Sequence, residues 1–116
     1  MRLYIEQLLH SSGISRNYIG YDYFVEAILL AMEDPERLHH ICKEIYIPVA
    51  EKYHTTRAAV ERNLRTIRDI CISNHGIEYL SKIGYNYHKQ HTPYPSELIE
   101  FYSYYCKLTY SGKTPK

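Results

Sequence analysis

No run of apolar residues in this chain approaches the ~20 needed to cross a bilayer, which excludes a helical membrane span. The three cysteines, Cys42, Cys71 and Cys106, are odd in number and share no C-x-x-C spacing, so neither a disulfide framework nor a paired zinc knuckle is indicated. Each has apolar neighbours at helical spacing, and all three are expected as small core hydrophobes. A Ser-His-Asp arrangement, a glycine-rich phosphate loop and an H-E-x-x-H motif are all missing, which argues against an enzyme. There is no internal repeat, low-complexity stretch or interdomain linker. The opening stretch from Met1 to Glu6 meets charge and His10 before any long apolar segment, and no small-residue cleavage site follows. A cytoplasmic location is therefore expected, with no cofactor and no metal.

What is present is an ordinary globular composition over 116 residues, enough for one domain with a real core. The charge is distributed unevenly. Residues 1–51 hold four Lys/Arg against eight Asp/Glu, whereas residues 52–68 hold Lys52, Arg57, Arg62, Arg65 and Arg68 against Glu61 alone. Positive charge concentrated in one short segment is the footprint of an element that approaches a polyanion.

Helical periodicity dominates and strand-like alternation is almost absent. Leu3, Leu8 and Leu9 give a first short helix, closed by Ser11-Ser12-Gly13. A second, from about Tyr18 to Glu33, carries Phe24, Ala27, Ile28 and Ala31 on its inner stripe, and Asp34-Pro35 ends it. The third begins near Glu36 with Leu38, Ile41, Cys42, Ile45 and Val49 on one face, and Pro48 is expected to kink or break it. After the polar turn His54-Thr55-Thr56, with a threonine as N-cap, a fourth helix runs to about Ser73. A short fifth helix spans Ile77 to Ile83. A loop rich in Tyr, His and Lys follows. The last helix, from Pro95 through Leu108, turns Leu98, Ile99, Tyr102 and Tyr105 inward.

Function concentrates in the segment from Val49 to Arg65, which reads as helix, tight turn, helix. Projected at about 100° per residue, Val60, Leu64, Ile67 and Cys71 gather on one side of the second helix. Ala58, Glu61, Arg62, Arg65 and Asp69 gather on the opposite side, with Arg57 and Arg68 toward one flank. Such a helix can bury one stripe and offer long polar side chains to a DNA major groove. Arginine gives paired hydrogen bonds to guanine O6 and N7, glutamate accepts from cytosine N4, and alanine keeps the backbone near the groove floor. Lys52, Thr55, Thr56 and Arg68 suit phosphate contacts, which orient without reading sequence. The plainer reading is an amphipathic helix whose outer face is laced by the i,i+4 pairs Arg57–Glu61, Glu61–Arg65 and Arg65–Asp69.

Beyond this, the chain resembles the C-terminal effector domain of the sporulation master response regulator, the stage zero sporulation protein A family, from Ile5 to about Leu108. The resemblance rests on Ile5-Glu6-Gln7-Leu8-Leu9-His10, on Tyr18-Ile19-Gly20-Tyr21-Asp22-Tyr23 with Glu26-Ala27-Ile28, on Ala50-Glu51-Lys52-Tyr53, and on Val60-Glu61-Arg62 with Leu64-Arg65. Gly84-Tyr85 and Pro93 with Ser96-Glu97-Leu98-Ile99 keep their spacing. It implies an all-α, six-helix domain over residues 1–109 that contains a helix-turn-helix. Residues 110–116 are expected as a flexible tail, and no receiver domain is expected in the chain. The implied function is a sequence-specific transcriptional regulator whose recognition helix, about 56–72, reads a box resembling TGTCGAA in double-stranded DNA. Glu61, Arg62 and Arg65 match the family's base-reading residues. Arg57 and Ala58 complete the candidate reading set, and Lys89 in the loop is a further candidate phosphate contact. A tandem dimer on DNA and contact with an RNA polymerase sigma subunit are also implied.

The chain departs from the family pattern at several positions. Ala59 stands where the family has arginine, Thr66 where it has histidine, Arg57 replaces a small residue, and Pro48 is shifted by one. The same fold is expected to dock in the same way, with the preferred box open to change. The competing reading is a protein-interaction module of the same fold that modulates a full-length regulator without reading DNA. Ala59, the near-neutral total charge and the tyrosine-rich last helix motivate it. His39 and His40 beside Cys42 diverge around a helix and are not expected to bind metal. His88 and His91 read as solvated or phosphate-near groups. Most of the fourteen tyrosines are expected in the core, with Tyr85, Tyr87 and Tyr94 as loop exceptions.

Overall fold

The computed structural model describes residues 1–87 and 91–110. Six α-helices account for most of them: α1 (Arg2–Ser11), α2 (Ile19–Glu33), α3 (Ile47–Lys52), α4 (Arg57–Ser73), α5 (Gly76–Lys82) and α6 (Pro95–Tyr110). A 3-10 helix at Pro35–His40 and a π turn at Cys42–Tyr46 join α2 to α3, and no strand occurs among the described residues. None of these helices is long and apolar enough to cross a membrane.

The centre is α2, the most apolar element, whose main neighbours are α4 and α6. It buries Tyr21, Tyr23, Phe24, Val25, Ala27, Ile28 and Ala31, residues that cover more than one face, so a helix of this composition must be wrapped by others. Around it, Ile5 and Leu9 of α1, Leu64 and Ile67 of α4, and Leu98, Ile99 and Tyr102 of α6 are fully buried. Each large apolar side chain so removed from water stabilises the fold by roughly 1.5–3 kcal/mol before entropy is counted. Phe24 meets the edge of Tyr102 with ring centroids 5.4 Å apart at 88°, a favourable quadrupole arrangement. The Tyr102 hydroxyl donates to Ser12 Oγ at 2.6 Å, and Ser12 Oγ donates to the Leu8 carbonyl at 2.8 Å. This chain of donors satisfies the buried phenol and ties α6 to the end of α1.

The junction after α2 follows the chemistry of Asp34-Pro35. Asp34 caps the new turn by accepting from the Glu36 amide at 3.1 Å, with proline in its first turn. At Pro48 the helix changes hydrogen-bond pattern instead of separating into two pieces. The Ile47 amide bonds to the Cys42 carbonyl, five residues back, and both Tyr46 and Ile47 keep right-handed helical dihedrals. Proline lacks the N–H that would serve Glu44 and crowds its carbonyl, and the wider π turn accommodates this.

That shift also corrects the expected face. Ile45 and Val49 are buried, Leu38 and Ile41 are half-buried, and Cys42 is exposed, so only Cys71 and Cys106 are core thiols. The tight turn ahead of Ile41 and the π turn after it move residue 42 off the inward stripe. Leu3 is exposed at 67%, and Ile5 takes the inward place expected of it. Tyr105 is half-buried, stacked on Phe101 with centroids 5.9 Å apart. The last helix runs two residues past Leu108 to Tyr110, whose ring meets Tyr4 at 5.2 Å. Residues 111–116, the rest of the expected tail, lie outside the described residues.

Candidate nucleic-acid interface

A helix, a four-residue turn (53–56) and a second helix form the candidate site. The turn closes α3 with His54 in the left-handed region, φ 56. The Thr55 amide bonds to the Ala50 carbonyl at 2.9 Å and the His54 amide to the Glu51 carbonyl at 3.3 Å, the paired bonds of a Schellman C-cap. Glycine is the usual residue at such a position, and histidine is among the side chains that tolerate it. Thr56 then caps α4, its Oγ1 accepting from the Ala59 amide at 3.1 Å. Four residues thus separate the end of α3 at Lys52 from the start of α4 at Arg57.

The inner stripe of α4 is the one its spacing predicts, with Val60, Leu64, Ile67 and Cys71 all buried. Gly20 sets how near α2 comes. A Cβ there would stand 2.6 Å from the Asn63 carbonyl oxygen and 2.9 Å from Ile67 Cγ1, so only glycine admits this backbone approach. Asn63 itself donates from Nδ2 to the Ala59 carbonyl at 2.8 Å, which turns its side chain along the helix.

Opposite that stripe, Arg57, Ala58, Arg62, Arg65, Thr66 and Asp69 are exposed. Among the described residues the guanidinium groups of Arg62 and Arg65 form no ion pair and no hydrogen bond, which leaves two cations on one ridge. Thr66 joins this ridge, its hydroxyl donating to the Arg62 carbonyl at 3.2 Å. Its place one turn after Arg62 is the signal in the sequence that points to it. Glu61 is half-buried. Its Oε2 accepts from Arg57 Nη1 and from the Cys42 thiol, the latter at 3.8 Å. The hydrogen bond from Arg57 to Glu61, then the carboxylate charge, raise the Arg57 pKa. Beneath them Tyr46 is pushed up to about 12 by burial first and then by the negative charge of Glu61, with Arg65 opposing.

The candidate phosphate contacts differ in freedom. Lys52 reaches Glu26 Oε1 at 3.0 Å and lies 5.9 Å from the Tyr53 ring centre, yet more than half of its side chain faces solvent. Thr56 is exposed and Thr55 half-buried. Arg68 is only 16% exposed. Its Nε donates to Asp69 at 2.9 Å and its Nη1 to the Pro93 carbonyl at 3.5 Å, which links α4 to the segment before α6. Lys89 and His88 lie outside the described residues, while His91 is exposed beside Glu97 at 3.1 Å. Tyr94 is exposed, and Tyr85 and Tyr87 are half-buried. Among the described residues no group of three His, Cys, Asp or Glu side chains is gathered to hold a metal ion.

The architecture can therefore present a rigid helix bearing two free arginines, a held glutamate and an alanine at its entry, flanked by a lysine and threonine hydroxyls. Compared with models of known protein families, residues 5–105 match the one described as sporulation initiation factor Spo0A C terminal.

Proposed function

The chain belongs to the family of C-terminal, DNA-binding effector domains of sporulation initiation factor Spo0A, and on that premise we propose that α4 is the element that reads the major groove. The family is one of DNA-binding effectors and not of enzymes. In this reading Arg62 and Arg65 contact guanine edges, Glu61 accepts from a cytosine amino group, Ala58 lets the backbone approach, and Arg57 serves the set through Glu61, with which it pairs. Lys52, Thr55, Thr56 and Lys89 contact phosphates, and Arg68 keeps its Nη2 for the same purpose. The target is double-stranded DNA carrying a box resembling TGTCGAA, taken by tandem copies, with a sigma subunit of RNA polymerase as a further partner.

The observation that carries this reading is the exposure of Arg62 and Arg65 on one ridge, without ion-pair or hydrogen-bond partners among the described residues. Two unpaired cations on one helix face can turn toward a polyanion without first breaking an ion pair, at the cost of their rotamer freedom alone. A purely structural surface helix would be laced by i,i+4 pairs. Among the described residues only the Arg57–Glu61 pair forms on α4 at that spacing.

The alternative is a same-fold interaction module that modulates a full-length regulator without reading DNA. Exposed Tyr104 and Leu108 on α6 favour it. Anisotropy titration of the box duplex across a salt series separates the two readings. A DNA reader releases condensed counterions, so log Kobs falls linearly with log salt by about 0.9 per phosphate contacted. Absence of binding at low salt supports the interaction module and overturns the reading proposed here.

A further inference from the structure

Arg57 and Glu61 at the start of α4 meet Cys42 of the π turn in a three-residue cluster that gives Arg57 a task different from base contact. Two donors converge on one oxygen of Glu61: Arg57 Nη1 from the same helix and the Cys42 thiol, 3.8 Å away on the π turn. Both end on Oε2, and Oε1 is left without a partner among the described residues. The carboxylate is thus fixed at one oxygen and open at the other.

We propose that Arg57 is a positioning residue: by holding Oε2 it aims Oε1 of Glu61 at the groove and sets how strictly Glu61 demands cytosine. This rests on the reading of α4 as the groove-reading helix. Two physical effects support it. A free glutamate must surrender its rotamers on binding, which weakens a contact by roughly two- to tenfold, whereas a side chain already pinned has little left to lose. An unneutralised carboxylate entering a groove is also repelled by the flanking phosphates, and a guanidinium paired to it removes most of that repulsion. Cys42 adds a second, weaker donor to the same oxygen.

The experiment is a double-mutant cycle on base preference. The parent protein selects its tightest duplex from random DNA, and each base pair of that duplex is then replaced in turn. Anisotropy gives the discrimination at every position for the parent, Arg57→Ala, Glu61→Ala and the double variant. Circular dichroism checks that each is folded. We expect Glu61→Ala and Arg57→Ala to flatten the same cytosine-containing pair, the latter by roughly three- to tenfold. Arg57→Ala should add less than about twofold once Glu61 is gone. Flattening at two different pairs, additive effects, or an unchanged profile in Arg57→Ala would overturn the inference while leaving DNA binding intact. Failure of the parent to select any duplex would overturn the reading of α4 itself, and the positioning role with it.

Discussion

Gly20 and Asn63 meet where α2 crosses α4, so closely that a methyl group on Gly20 would stand 2.6 Å from the Asn63 carbonyl oxygen. The candidate reading helix is therefore held by backbone-to-backbone approach as well as by side chains. Gly20→Ala forces either α2 or α4 to shift, and overpacking of this kind costs about 1–3 kcal/mol. Urea unfolding should show that loss. Because α4 is displaced, affinity for DNA should fall as well. A variant as stable as the parent would mean that the two helices do not cross in this way.

Thr56→Ala removes the acceptor for the Ala59 amide and should cost about 1 kcal/mol in urea unfolding. Thr56→Ser should restore most of it, since the serine hydroxyl can cap the same amide. If alanine and serine behave alike, the cap contributes nothing.

Alkaline pH should unfold the protein through its buried acids. Burial pushes the Cys71 thiol from 9.0 up to about 11 and the Cys106 thiol from 9.0 to about 12. Tyr102, fully buried, rises well above 10.0 for the same reason. The unfolded chain releases these protons first, so stability is fully present below the unfolded value of 9.0 and is lost as pH rises from there through the folded values. Each thiol contributes a slope approaching 1.4 kcal/mol per pH unit within its window. Denaturation midpoints should be flat near pH 7 and fall above about pH 9. Replacing both Cys71 and Cys106 by alanine should move the onset toward about pH 10, where the tyrosines begin. An unchanged onset would contradict the assignment.

The inner face of α4 was legible because Val60, Leu64, Ile67 and Cys71 obey one period, and burial follows period. A threonine cap in the turn was legible because few side chains can serve an orphan amide, but the choice of Thr56 over Thr55 was not. The left-handed residue was not, because His54 stands where glycine would have announced it. Cys42 was misplaced for a different reason. A regular helix from Glu36 would turn it inward, but the 3-10 and π segments change the angle per residue, and hydrophobic spacing carries no record of that change. The Arg57–Glu61 pair could be read from i,i+4 spacing, whereas the approach of Cys42, nineteen positions away, is a tertiary fact. Arg68 looked as free as Arg65 in projection. Its place on the flank brings it to Asp69 and to the Pro93 carbonyl.

The free arginines of α4 are expected to discriminate between DNA sequences. The most direct measurement is competition between a TGTCGAA duplex and a scrambled duplex of equal length at one fixed salt concentration, for the parent and for Arg62→Ala and Arg65→Ala. Each substitution should cost about 1–3 kcal/mol on the box duplex and relax preference at one base pair, with little effect on the scrambled duplex. Equal binding of the box by the parent and both variants would contradict it.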